Sequence, residues 1–383
     1  MKTYDVIVIG AGSTGVPATM AIAEKGQSVL CIEALSAPGQ GNHKKAIGGI
    51  RATHSDYGKI KTSLRSIEIF SQWKEKYGTD IGWQTNGYSF PAYDEKTEKN
   101  LKNLLKVQQG FGLDIKWITP EEYRELVPGI NMEGLRGASY SPGDGSASNL
   151  LAINSMWFRS KKAGAEYKFN ERVIKFEMKG DKILEVITDK GRYACGKTVN
   201  AAGNYANEIG KLAGIELCVS PDNHEAAISE PVKRFMEPMI VDLRSGPGSK
   251  NFYFYQNADG QVLFCITPDP PVTGIRNEST SVFLPQIAKR MLTLYPSLAN
   301  LKVRRSWRGQ YPMTPDGFPI AGYVKEVSNY INAVGMCGQG FMLGPGLGEI
   351  IARLTSESIT EEDRKILKSF DFYRDFSGME AFK

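Results

Sequence analysis

Three glycines near the start carry the first chemistry. Gly10, Gly12 and Gly15 enclose Ala11, Ser13 and Thr14, and Glu33 follows 23 residues after Gly10. The spacing suits a dinucleotide pyrophosphate: Gly10 permits a tight turn, Gly12 lets a phosphate approach the backbone, and Gly15 allows a helix to pack closely on a strand. The helix start adds unpaired N–H groups and a partial positive charge. Glu33 can accept hydrogen bonds from an adenosine ribose, and an acid there argues against the 2′-phosphate of NADP. FAD and NAD both satisfy this unit. A second cluster, Gly335-Met336-Cys337-Gly338-Gln339-Gly340-Phe341-Met342, lies far along the chain. Its glycines let a backbone approach a planar ring, with a helix N-terminus aimed at it. If the ring is a flavin, that dipole favours negative charge on its reduced form.

These residues need elements to hold them. Residues 4–9 form an apolar, β-branched run, the pattern of a buried parallel strand. Helical spacing follows over 16–25 with Gly26 as its stop, then a second strand over 27–33. Pro17 falls in the first helical turn, where its missing N–H costs little. Helices are predicted over 63–77, 97–112, 149–163 and 286–295, with a further start at Thr119-Pro120-Glu121-Glu122. The helix at 149 follows a Gly143-Asp144-Gly145 turn. Strands are predicted over 168–186, 191–199 and 330–334, with a β-rich stretch over 224–267. Tyr253 and Tyr255 are read as alternating between strand faces, so that at most one meets a substrate. A helix begins at 346 and runs to 354; the charged, aromatic tail over 357–383 is assigned no element.

Composition narrows the function classes. The chain of 383 residues has room for two domains and a large core. Its net charge of +5 is spread along the chain, with basic residues at most in pairs, which argues against a nucleic-acid partner. Three histidines and five cysteines show no metal-ligand spacing, so no metal is expected, and a reducing cytoplasm fits best. The uncharged stretches 6–23 and 327–348 are interrupted by glycine and proline, so no membrane span is expected.

The chain resembles the FAD-dependent amino-acid and amine oxidoreductases of the D-amino-acid oxidase superfamily, most of all the branch of dye-linked L-proline dehydrogenase β subunits and sarcosine oxidase β subunits. The resemblance runs to about residue 355. It rests on Gly10 to Gly15 with Glu33, Gly48-Gly49-Ile50-Arg51, Gly143-Asp144-Gly145, residues 199–203, Thr314-Pro315-Asp316 with Pro319, and residues 335–348. It implies an α/β fold: a Rossmann-like FAD-binding domain (1–85, 144–219, 307–383) interleaved with an α+β substrate domain (86–143, 220–306) built on a large antiparallel-rich sheet. It implies non-covalent FAD, since Gly309 stands where monomeric sarcosine oxidases carry the cysteine that bonds the flavin.

The resemblance also implies site residues. Gly10, Gly12, Ser13, Thr14, Gly15, Glu33 and Ala34 would hold the nucleotide. Lys44, Lys45, Ala46, Gly48 and Gly49 would run past the pyrophosphate and flavin. Val173 would meet adenine, with Ala202 and Gly203 at a nearby strand end. Gly338, Gly340, Phe341 and Met342 would meet the flavin pyrimidine. Arg51 would pair with a substrate carboxylate, and His224 would accept a proton or orient the amine. Tyr253 and Gln339 complete the catalytic set. The implied reaction is oxidative deamination or dehydrogenation of a small amino acid or secondary amine by hydride transfer to flavin N5, with L-proline, sarcosine and glycine all open. Met342 and Gln339 depart from the lysine and histidine of the monomeric oxidases, and residues 260–267 lack their oxygen-activating lysine. That pattern implies a dehydrogenase passing electrons to a partner redox subunit. An oxygen-using oxidase and a non-catalytic FAD-bound scaffold are the alternatives.

Overall fold

The computed structural model describes residues 2–381. Strand Thr3–Ile9 has apolar side chains on both faces, and both faces are covered. It pairs in parallel with Val29–Ile32 on one side and Arg192–Asn200 on the other. Parallel pairing continues outward to Glu166–Lys168 and to Tyr330–Val334. Ile320–Tyr323 and the hairpin Val173–Lys179/Lys182–Thr188 complete an eight-stranded sheet.

Val6 and Val8 face the helices Gly15–Glu24, Asn149–Lys162 and Gly340–Thr355, whereas Ile7 and Ile9 face the hairpin and helix Ala206–Leu212. Helices Gly15–Glu24 and Gly340–Thr355 cross at glycines. A Cβ on Gly344 would overlap the Ser13 carbonyl, and one on Gly348 would come within 2.7 Å of Pro17 backbone. This close crossing carries the second helix six residues further toward its N-terminus than the sequence predicts, through Pro345. Packing outweighs the poor helix propensity of its glycines.

A second sheet also has eight strands, in the order Val303–Met313, Ser220–Pro231, Gln261–Pro268, Ser249–Gln256, Met239–Asp242, Tyr88–Ala92, Gly137–Ser141, Lys116–Ile118. All its pairings are antiparallel except Met239–Asp242 with Tyr88–Ala92. Helix Phe283–Leu294 covers one face through Phe283, Ile287, Met291 and Leu294. A two-stranded ribbon, Gly49–Ile50 with Gly145–Ser146, lies apart from both large sheets. The expected combination of a Rossmann-like unit and an antiparallel-rich sheet is the observed architecture.

Local differences have local causes. The helix predicted over 63–77 starts at Tyr57, because Asp56 caps it by accepting from the Lys59 N–H at 3.0 Å, and it is interrupted at Gln72. The tail contains the helix Glu361–Ser369, opened by a Thr360/Asp363 capping box; its last two residues lie outside those described. Tyr253 and Tyr255 share one strand face, which corrects the expected alternation: side chains two apart point the same way. The Tyr253 hydroxyl lies 2.5 Å from that of Tyr311, and the Tyr255 hydroxyl donates to the Ile47 carbonyl. Among the described residues no helix is long and apolar enough to cross a membrane.

Candidate functional site

The two glycine clusters and the second sheet enclose one chamber of about 1530 Å³. At its first end, Gly10 adopts φ +102° and its N–H donates to the Ile32 carbonyl at 2.8 Å. A Cβ on Gly10 would sit 2.6 Å from the Ala201 carbonyl oxygen, and one on Gly15 would overlap the Gly10 carbonyl. Gly12 differs, since nothing lies within 4 Å of where its Cβ would be. Gly10 and Gly15 are therefore fixed by the fold, while Gly12 opens a cradle into the chamber. Glu33 binds this turn, accepting from the Ala11 N–H at 2.7 Å and the Leu35 N–H at 2.9 Å, and it also lines the chamber.

His43 was not anticipated as a site residue. Its Nε2 lies 2.7 Å from the Asn149 carbonyl oxygen, which can only accept, so Nε2 carries the proton. Nδ1 then accepts from the Ser13 hydroxyl at 2.8 Å. Burial pulls His43 down to about 4, against a backbone hydrogen bond that opposes it, so the ring is neutral at pH 7. The contact fixes Ser13 just ahead of the helix Gly15–Glu24.

The second glycine turn comes from the opposite side. Gly338 has φ +79°, and a Cβ there would enter the Tyr311 ring. The missing Cβ of Gly340 would stand 3.2 Å from Ser13, so the two turns meet. Gln339 is buried between them, and its Oε1 has no partner among the described residues. The loop ahead of Arg51 supplies Lys44, Lys45, Ala46, Gly48 and Gly49. Lys45 Nζ donates to Asn277 Oδ1 at 2.7 Å, and its carbonyl accepts from Trp307 Nε1 at 2.7 Å. Val173, Ala202 and Gly203 line the far end.

Arg51 follows the ribbon strand Gly49–Ile50 and is 8% exposed. Its Nη1 donates to the Thr53 carbonyl and lies 3.3 Å from His54 Nδ1. Burial, Arg51 and Lys59 hold His54 well below the ordinary histidine value, so its ring is neutral and accepts from Arg51. Burial also pulls the guanidinium pKa down, with Tyr88, Glu380, Asp144 and Tyr253 acting the other way. Asp144 accepts from the Ala52 N–H at 2.8 Å, and burial pushes its carboxyl up to about 7.

One face of the second sheet forms the opposite wall, reading every second residue along its strands. Tyr88 and Phe90, then Met239, Val241 and Leu243, make its apolar half. Tyr253, Cys265, His224 and Tyr311 make its polar half. The His224 ring stacks on Tyr311 at 3.8 Å, with Nε2 3.3 Å from Asp222 Oδ2. Its Nδ1 is buried without a partner among the described residues. Burial raises the phenol pKa of both Tyr253 and Tyr311, so both hydroxyls stay protonated at pH 7.

The chamber thus gathers every residue expected from the sequence except Gly15, which stands behind the first turn. Sequence reasoning missed His43, Asp144, Tyr311 and Glu380. Tyr311 had a local signal, two residues beyond the singled-out Gly309, and Asp144 lies inside the singled-out Gly143-Asp144-Gly145 turn. The fit to a flavin dinucleotide rests on three features: the open cradle at Gly12, a carboxylate at the strand end, and an orphaned buried acceptor at Gln339 suited to a ring N–H.

Comparison with known families matches residues 5–354 to one described as FAD dependent oxidoreductase (DAO). The structure of L-proline dehydrogenase from P. horikoshii is similar, with a TM-score of 0.91 and 30% identity over 97% of this chain and 98% of that one. Glycine oxidase of Geobacillus kaustophilus is 26% identical over 369 residues, 94% of this chain and 95% of its own length. Human mitochondrial dimethylglycine dehydrogenase is 24% identical over 365 residues, which span 91% of this chain and 42% of the human protein.

Proposed function

The chain belongs to the FAD-dependent oxidoreductase (DAO) family, enzymes that oxidise amino acids or amines with FAD, and from that premise we propose a dehydrogenase of small secondary or primary amino acids. The observation that carries the reading is Arg51, a buried guanidinium facing the same chamber as both glycine turns. A guanidinium there matches a substrate carboxylate through its planar fork of donors. FAD, when bound, supplies the two-electron acceptor.

In this reading, Gly10 to Gly15 with Glu33 and Ala34 hold the nucleotide without a covalent bond. Val173, Ala202 and Gly203 flank its adenosine, and Lys44 to Gly49 with Gly338 to Met342 flank the ring. Arg51 holds the carboxylate and so fixes which carbon faces the ring. His224, a chamber-lining residue whose Nδ1 is buried without a partner among the described residues, takes or holds the proton of the amine while Asp222 secures the other ring nitrogen. Tyr253 and Tyr311 complete the wall and exclude water. The Met239, Val241 and Leu243 face receives an apolar side chain or ring, which favours L-proline over glycine; the likeness to an L-proline dehydrogenase supports this choice. The domain division 1–85, 144–219, 307–383 against 86–143, 220–306 belongs to the same proposal, with the strand Val303–Met313 crossing its last junction. A cytoplasmic setting is supported by five free cysteines.

The acceptor is proposed to be a partner redox subunit rather than oxygen. Strand Gln261–Pro268 contributes Cys265 and Thr267 to the chamber but no lysine. No positive charge from that strand then favours superoxide beside the reduced ring. Reoxidation after reduction by substrate is expected to be at least tenfold faster with an artificial dye than in air-saturated buffer. Stopped-flow absorbance measures both, and oxygen reoxidation as fast as turnover, with matching peroxide, makes the protein an oxidase.

A further inference from the structure

The first glycine turn keeps its backbone donors free. Helix Gly15–Glu24 has no side-chain cap at Thr14, and among the described residues the N–H groups of Gly12, Ser13 and Thr14 have no acceptor. All three residues line the chamber. Such donors bind a phosphate well only if the turn already has its shape, because ordering it at the moment of binding costs affinity. Gly12 meets nothing within 4 Å of where its Cβ would be, so packing at that position does not hold the turn. The hold comes from the next side chain.

Ser13 is half-buried, and its hydroxyl donates to His43 Nδ1 at 2.8 Å. His43 makes a reciprocal pair with Asn149: its Nε2–H donates to the Asn149 carbonyl at 2.7 Å, and Asn149 Nδ2 donates to the His43 carbonyl at 2.7 Å. Its ring meets that of Phe341, in the second glycine turn, edge-on, with centroids 5.6 Å apart. The loop that carries it is tied to the first turn again, where the Gly39 N–H donates to the Ala11 carbonyl at 2.8 Å. One ring thus joins helix Asn149–Lys162 to both glycine turns. Its nitrogens divide the work: Nε2 faces a helix of the scaffold, and Nδ1 faces the residue that carries the free donors.

We propose that His43 is a positioning residue for FAD: by accepting from the Ser13 hydroxyl, its Nδ1 fixes the aim of the Gly12, Ser13 and Thr14 N–H groups before the cofactor arrives. His43 acts through Ser13. The proposal needs FAD binding, which the family supplies, and is independent of the substrate.

The test is titration of FAD-free protein with FAD, followed by quenching of flavin fluorescence, with the melting temperature of each FAD-free variant measured alongside. Asparagine at position 43 sets an acceptor where Nδ1 stands and gives up the bond to Asn149. Glutamine sets a donor where Nε2 stands and gives up the bond to Ser13. His43→Gln is expected to raise the Kd for FAD by roughly tenfold or more, the scale of one lost hydrogen bond. His43→Asn should raise it by less than about threefold. Ser13→Ala should match His43→Gln while melting close to wild type, and the Ser13→Ala/His43→Gln double variant should bind FAD no more weakly than either single one, because both remove the same contact. If His43→Gln does not fold, Ser13→Ala and His43→Asn carry the same contrast. Equal losses in the two variants compared, the reverse order, or additive losses in the double variant overturn the proposal and leave His43 as a support of the fold alone.

Discussion

Arg51→Ala is expected to lower kcat/KM for the best carboxylate substrate by on the order of 2–4 kcal/mol, the scale of losing a buried charge-assisted pair. That corresponds to a loss of roughly 30- to 1000-fold. FAD content should stay at the wild-type level, because Arg51 bonds Thr53 and His54 and is anchored by the ribbon rather than by either glycine turn. Arg51→Lys should recover only part of the loss, since an ammonium lacks the planar fork. Steady-state kinetics on variants with matched flavin content make the measurement. Near-wild-type kcat/KM for Arg51→Ala would remove this residue from the substrate site.

The second large effect falls on stability. A Cβ on Gly344 overlaps the Ser13 carbonyl, a backbone atom held between two helices that cannot rotate aside. Overpacking of this kind costs typically 1–3 kcal/mol and more where backbone must shift, so about 4 kcal/mol is expected for Gly344→Ala. For a chain of this size that lowers Tm by roughly 5 °C. Gly12→Ala should behave in the opposite way, because open space surrounds its Cβ. It should leave the Tm of FAD-free protein within about 1 °C while weakening FAD retention. Thermal melts with and without added FAD separate the two glycine roles. Equal melting temperatures for the two FAD-free variants would contradict the assignment of helix crossing to one and cofactor approach to the other.

What the sequence makes legible follows from how local each constraint is. The turn from Gly10 to Gly15 packs its requirements into a strand, a turn and a helix start, so residue types and spacing suffice. Helix Gly340–Thr355 was only half legible: its glycines and Pro345 read as breakers, yet the same glycines permit the close approach that stabilises it. The place of Arg51 in the chamber wall is legible through family resemblance and not through any spacing rule. Glu380 was not legible at all, because its partners Lys59 and Ser55 lie more than 300 residues away in sequence. The stack of His224 on Tyr311 arises from the antiparallel register that sets His224 opposite Gly309, a pairing that no local pattern encodes. The misplacement of Tyr255 has a different origin. A strand period of two already puts positions 253 and 255 on one face, so the sequence held that answer.

Anaerobic mixing of the FAD-loaded protein with L-proline, sarcosine, glycine and other small amino acids tests the central claim most directly. The yellow absorbance of the flavin is expected to bleach within the first turnover with at least one of them, in proportion to FAD content. L-proline should bleach it faster than glycine, and Arg51→Ala should slow the bleaching without changing the starting spectrum. A fully loaded protein that stays yellow with the entire panel, yet is bleached by dithionite, would contradict the assignment of this chamber to amino-acid oxidation.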